Sequence, residues 1–105
     1  AILDLPPEYE PAGVKKFIKE NTIAMLSKYC ELLSGNDLHI PTEIEALTKP
    51  FISENGLKFP ELFQPIRISL TGGTQAPSVY DIVAILGTKE TIKRINSAIK
   101  SNFGR

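Results

Sequence analysis

The sequence predicts an all-α fold, a single compact bundle of about five helices, and three observations carry that expectation. Apolar residues recur at three- and four-residue spacings along most of the chain, the period of a helix buried on one side. The two β-branched runs, Ile66 to Leu70 and Ile82 to Leu86, each lie within a longer helical period. Clusters such as Ser34-Gly35-Asn36-Asp37, Asn55-Gly56 and Thr71-Gly72-Gly73 punctuate the periodic segments as turns do.

In chain order, residues 1–11 carry three prolines in the nine residues from Leu3 and read as a linker, leaving 12–105 as the helical domain. From Ala12 to Leu33 the positions Val14, Phe17, Ile18, Met25, Tyr29 and Leu32 predict one long helix. Thr42-Glu43-Ile44-Glu45 has the form of a capping box, in which hydroxyl and carboxylate satisfy each other's free backbone donors, so a second helix is expected from Thr42. Pro50, lacking a donor, is expected to kink or divide it. A third helix follows from Phe59, Leu62, Phe63, Ile66 and Leu70; Pro65 interrupts this stripe, and the periodicity is taken to prevail. Ser78 is expected to cap a short fourth helix ending at Gly87, and Thr88 a fifth with Ile92, Ile95, Ile99 and Phe103 inward.

A chain of 105 residues has room for one domain that buries roughly two-thirds of its unfolded surface. Its longest apolar run, Ile82 to Leu86, is far short of the ~20 residues that cross a bilayer, so no membrane role is expected. One cysteine, Cys30, and one histidine, His39, cannot form an internal disulfide or a zinc site by themselves. These point to a reducing, cytoplasmic setting, with Cys30 buried among apolar neighbours and His39 in a loop. The chain begins at Ala1 instead of Met, which leaves open that it is part of a longer protein.

Formal charge is zero overall, but residues 1–63 carry six basic against ten acidic side chains and residues 64–105 six against two. Any contact with a polyanion therefore falls to the second half. There Lys89, Lys93, Asn96 and Lys100 share one helical stripe suited to phosphates, or simply to water. Arg67, between Ile66 and Ile68 and one turn before a glycine loop, has a fork of donors that could read a base edge or hold a phosphate. Its other reading is a packed stem with a local carboxylate partner. No catalytic constellation is visible, and Thr71-Gly72-Gly73-Thr74 lacks the spacing of a phosphate-cradling loop, so a helix stop is the simpler reading.

Phe63-Gln64-Pro65-Ile66-Arg67-Ile68-Ser69-Leu70-Thr71-Gly72, followed by Ala76-Pro77, Ile85-Leu86-Gly87 and Arg94-Ile95, resembles the C-terminal end of bacterial-type glutamyl-tRNA synthetases. The tight part of the resemblance runs from about Phe59 to Ile99. It implies an anticodon-binding domain of a class I aminoacyl-tRNA synthetase, with Arg67, Ala76, Pro77, Ser78 and Val79 facing the anticodon of tRNA(Glu) and Lys89, Lys93 and Lys100 near the RNA backbone. Where the family often has Thr-Pro-Gly-Leu this chain has Ala76-Pro77-Ser78-Val79, which removes a hydroxyl at position 76. One residue also stands inserted before Lys89 relative to the family pattern. The family's ATP-binding signature segments are absent, so the resemblance implies recognition in this chain, with ATP and magnesium used by the rest of a monomeric synthetase. Two other readings stay open at this point: a helical protein-docking module, and the corresponding domain of a glutaminyl synthetase.

Overall fold

The computed structural model describes residues 8–75 and 77–105, whose regular elements are all helical, with no strand among them. The elements are α1 (Pro11–Phe17), α2 (Thr22–Leu33), α3 (Pro41–Glu54), α4 (Phe59–Thr71), α5 (Val79–Leu86) and α6 (Thr88–Lys100), followed by a 3₁₀ turn at Asn102–Gly104. Helix α4 is central and packs against α1, α2, α5 and α6, while α3 lies on α5. Leu26, Ile44, Leu62, Ile66, Ile68, Leu70, Ile82 and Ile95 are fully buried at the seams, each contributing on the order of 1.5–3 kcal/mol through loss of apolar surface to water. None of these helices is long and apolar enough to cross a membrane.

The long first helix expected over 12–33 is two helices. Ile18, at the end of α1, has an extended backbone (φ −93°, ψ 98°). Thr22 Oγ1 then accepts from the Lys19 N–H at 2.8 Å and donates to the Phe17 carbonyl at 3.4 Å. A threonine hydroxyl that offers the main chain such partners competes with helix continuation. The buried residues Val14 and Ile18 on one side of the break, and Leu26, Tyr29 and Leu33 on the other, still face the same core. That common core is why the apolar period read straight through.

Caps account for the other differences. Helix α3 begins at Pro41 with Ile40 as its N-cap and no side-chain cap bond, so Thr42 lies inside the helix and the expected capping box does not form. Proline suits a first helical position, where its missing N–H has no partner to lose. Pro50 neither divides nor ends α3, which runs on to Glu54. The ring and Ala46, whose carbonyl it leaves free, are both exposed, so water replaces the missing bond. Helix α4 likewise runs through Pro65, as the periodicity requires. Glu61 Oε1 accepts from the Lys58 N–H at 2.7 Å at its start, and Gly72 closes it in the left-handed region at φ 85°.

Neither Ser78 nor Thr88 caps a helix with its side chain. Thr88 instead ties α6 to the loop after α2, donating to the Asn36 carbonyl at 2.7 Å and accepting from the Leu38 N–H at 3.0 Å. Phe103 is buried as expected but not on α6, because the chain turns after Lys100 and Phe103 adopts φ 55°. The strain of a left-handed phenylalanine, about 1–2 kcal/mol, is offset by burial of its ring against Tyr9, 5.8 Å away edge to face. Within the stretch expected to be linker, the Glu10 N–H also donates to the Gly72 carbonyl at 2.7 Å.

Candidate nucleic-acid interface

Helix α4 turns Leu62, Ile66 and Leu70 to the core, which leaves Arg67, next to Ile66, at the edge of the buried face and half exposed. Its Nε donates to the Pro77 carbonyl at 3.1 Å and its Nη1 to Gln64 Oε1 at 3.3 Å. Both acceptors are neutral, and no carboxylate among the described residues pairs with Arg67. The side chain is thus oriented by two neutral oxygens, and its remaining N–H groups have no partner among the described residues, which leaves donors for a base edge or a phosphate. Among the described residues, the local carboxylate of the alternative reading of Arg67 is absent.

Its main acceptor fixes the turn before α5. Pro77 and Ser78 are exposed, whereas Val79 is 1% exposed. The Val79 side chain is therefore part of the core and cannot offer the apolar surface to a base that the resemblance implies; only its main chain reaches the helix start. Ala76 lies outside the described residues. Ser78, with no side-chain cap bond, leaves the first amides of α5 open. Asp81 stands in the same first turn, so this end suits a base carbonyl better than a phosphate.

Along α6, Lys89, Lys93, Asn96 and Lys100 are all exposed on one stripe, as their spacing requires. Lys89 and Lys93 border an open recess of about 460 Å³ shared with Asp37, Leu86 and Glu90. Asp37 Oδ1 accepts from the Lys89 N–H at 3.1 Å and its Oδ2 lies 3.2 Å from His39 Nε2. The Lys89 amide first, and His39 second, hold the Asp37 carboxyl below its ordinary range. His39 is exposed in this loop, its Nδ1 3.2 Å from the Ala84 carbonyl, and Cys30 is buried with its thiol pushed up to about 11 by desolvation. No hydrogen bond or ion pair among the described residues joins the Arg67 group to the lysine stripe, which are separate parts of the surface. No group of three or more described His, Cys, Asp or Glu side chains could hold a metal ion.

Two features escaped sequence reasoning. Arg94, noticed only as part of a motif, is 2% exposed, with Nη1 donating to the Leu70 carbonyl at 3.2 Å and Nε to Glu90 Oε2 at 3.0 Å. It places a cation on one of the last carbonyls of α4, where the helix dipole favours it, and so braces the end of the helix that carries Arg67. The second is a series of rings: Phe59 and Phe63 stack at 5.5 Å with 28° between their planes, and Phe63 meets Tyr80 edge to face at 5.3 Å. Phe59 and Phe63 are four residues apart, a spacing equally expected of core residues, so no pattern singled them out.

A family model described as an anticodon binding domain matches residues 1–99. Glutamate–tRNA ligase 1 of Aliarcobacter butzleri is 64% identical over 104 residues, covering 97% of this chain and 22% of the relative. The glutamate–tRNA ligase of Pelobacter propionicus is 40% identical over 93 residues, 89% of this chain and 20% of its own length. A crystal structure of a glutamate tRNA ligase from Elizabethkingia meningosepticum superposes with a TM-score of 0.87 at 27% identity, covering 94% of this chain and 20% of the other. The chain thus spans about a fifth of the length of these relatives.

Proposed function

Because the chain belongs to the anticodon-binding domain family, we propose that it is the part of a glutamate–tRNA ligase that reads the anticodon loop of tRNA(Glu). The observation that carries this reading is the setting of Arg67, held by the Pro77 carbonyl and Gln64 with no carboxylate among the described residues to neutralise it. Unstacked loop bases are recognised by donors aimed at their edges and by flat surfaces beside them. Arg67 supplies the edge contact, Pro77 and Ser78 the exposed turn, and the open amides before Val79 a seat for a base carbonyl. Ala76 is carried in this proposal by its place in the motif alone.

Lys89, Lys93 and Lys100 contribute phosphate contacts, and few such contacts mean weak, salt-sensitive binding by this part alone. Asp37 tempers the charge at the start of that stripe. Joining glutamate to the tRNA, with ATP and magnesium, falls to the remainder of a monomeric cytoplasmic ligase of which this chain forms the recognition part. Relatives named for glutamate favour that substrate over glutamine. A chemical-shift titration with a stem–loop carrying a glutamate anticodon tests the reading. Shifts gathered at Arg67, Ser78, Val79 and the Lys89–Lys100 helix, and weaker with a scrambled loop, are expected; no shift with either RNA counts against it.

A further inference from the structure

Phe59 is one of three large apolar side chains that stand exposed among the described residues, at 52%, and it differs from the other two, Ile40 and Ile85. Its ring lies nearly parallel to that of Phe63, which in turn abuts Tyr80, two residues beyond Ser78. On α4 the residues Phe59, Phe63 and Arg67 follow at four-residue intervals, forming one stripe that climbs about 6 Å per step. Two stacked rings therefore lead along the helix to the guanidinium held at Pro77.

We propose that the outer face of Phe59, backed by Phe63, is a stacking platform for one unpaired base of the anticodon loop, next to the base contacted by Arg67. This rests on the reading of the chain as an anticodon-binding domain and extends its surface by a contact that sequence motifs did not assign. The chemistry matches a nucleotide in both halves. A base presents a flat π-face to a ring, and its phosphates need cations nearby. Lys58 precedes Phe59 and Arg67 lies one turn after Phe63, so the ring pair is flanked by positive charge. Glu61 projects nearly opposite Phe59 around the helix, and its carboxylate accepts from the Lys58 N–H. Glu45 acts on Tyr80, and Asp81 follows it in the first turn of α5, so phosphates are favoured toward Lys58 and Arg67 and the rings are left to the base. A protein partner would need a broader apolar area. Ile40 precedes the first turn of α3, a helix about 21 Å long, and Phe59 follows its last turn, so no ring contact among the described residues links Ile40 to the Phe59–Phe63 pair.

The test is binding of an anticodon stem–loop, with 2-aminopurine placed in turn at each loop position, to the chain and to Phe59→Ala, Phe59→Leu and Phe59→Trp. Phe59 is exposed, so these variants keep the fold, which circular dichroism verifies. Loss of affinity by about tenfold in both Ala and Leu, retention in Trp, and one loop position quenched only when a ring is present are expected. Leu or Ala binding as tightly as the parent chain overturns the platform. Arg67→Ala is run alongside with matched and scrambled loops. If the parent discriminates the loops and Arg67→Ala does not, while the Phe59 variants bind normally, the platform fails and the anticodon reading stands. If the parent chain does not discriminate at all, both fail together.

Discussion

Replacing Thr88 by valine keeps the shape of a fully buried side chain and removes only its hydroxyl. In the folded chain that hydroxyl donates to the Asn36 carbonyl at 2.7 Å and accepts from the Leu38 N–H at 3.0 Å, joining α6 to a loop fifty residues earlier. Each neutral bond is worth about 0.5–1.5 kcal/mol net, so losing both costs about 2 kcal/mol, since the two backbone partners are only partly buried and water regains them. The Thr88 N–H bond to the Leu38 carbonyl at 3.1 Å survives, and threonine and valine have similar helix propensity, which keeps the substitution clean. For a domain whose total stability is on the order of 5–15 kcal/mol, this is a large fraction, and it lowers the melting temperature by roughly 10 °C. Urea unfolding followed by circular dichroism, with Thr88→Ser as the control that keeps the hydroxyl, measures it. A valine variant within about 0.5 kcal/mol of the parent chain would refute the argument that this hydroxyl positions the lysine helix.

Further outcomes follow from the core and its rim. Because Thr48 Oγ1 donates to the Ile44 carbonyl, Tyr29 must be the donor in the 2.7 Å bond between the two hydroxyls; Tyr29→Phe should cost about 1 kcal/mol in urea unfolding, and a neutral result would exclude that bond. Burial pushes the Tyr29 phenol up to about 12. The folded state then resists ionisation, so this contribution to stability is intact below the ordinary value of 10.0 and fades as pH rises toward 12; a tyrosinate absorbance titration showing three equal phenols would contradict it. Asp37 has the opposite sign: its carboxyl is lowered from 3.8, so its stabilising effect is present above 3.8 and lost as pH falls through the folded value. Asp37→Asn should unfold earlier than the parent at roughly pH 7 and approach it as the pH is lowered through the folded value, and a gap that does not depend on pH would show that the charge is not involved. Cys30, with its thiol raised to about 11, should react far more slowly with a disulfide reagent at neutral pH than after unfolding; equal rates would place it at the surface.

Helix α4 was legible because its five apolar positions specify one face, and a single proline removes one bond without undoing that face. The same logic failed between α1 and α2, where Val14 and Leu26 keep a common face across a break set by Thr22, a local hydrogen bond that hydrophobic period does not register. Residue type alone points to caps at Thr42 and Thr88, yet both are helical residues, and the latter has partners about fifty positions away that no local pattern contains. At the site, Arg67 stood out because a charge inside an apolar stripe is conspicuous. Val79 misled because an apolar residue beside a functional turn can equally be core, and only packing decides. Phe59 and Phe63 erred the other way, sharing the spacing of core residues while one ring remains in solvent.

The central claim is that Arg67 reads the anticodon, and the most direct test is the ratio of affinities for a glutamate-anticodon stem–loop and loops altered one base at a time, measured with the chain and with Arg67→Ala at fixed salt. A parent chain that prefers the matched loop, and an Arg67→Ala variant that loses about 1–3 kcal/mol of that preference at one base while retaining salt-sensitive binding to all loops, is the expected result. An unchanged ratio at every position would contradict the claim and reduce Arg67 to a brace between α4 and the Pro77 turn.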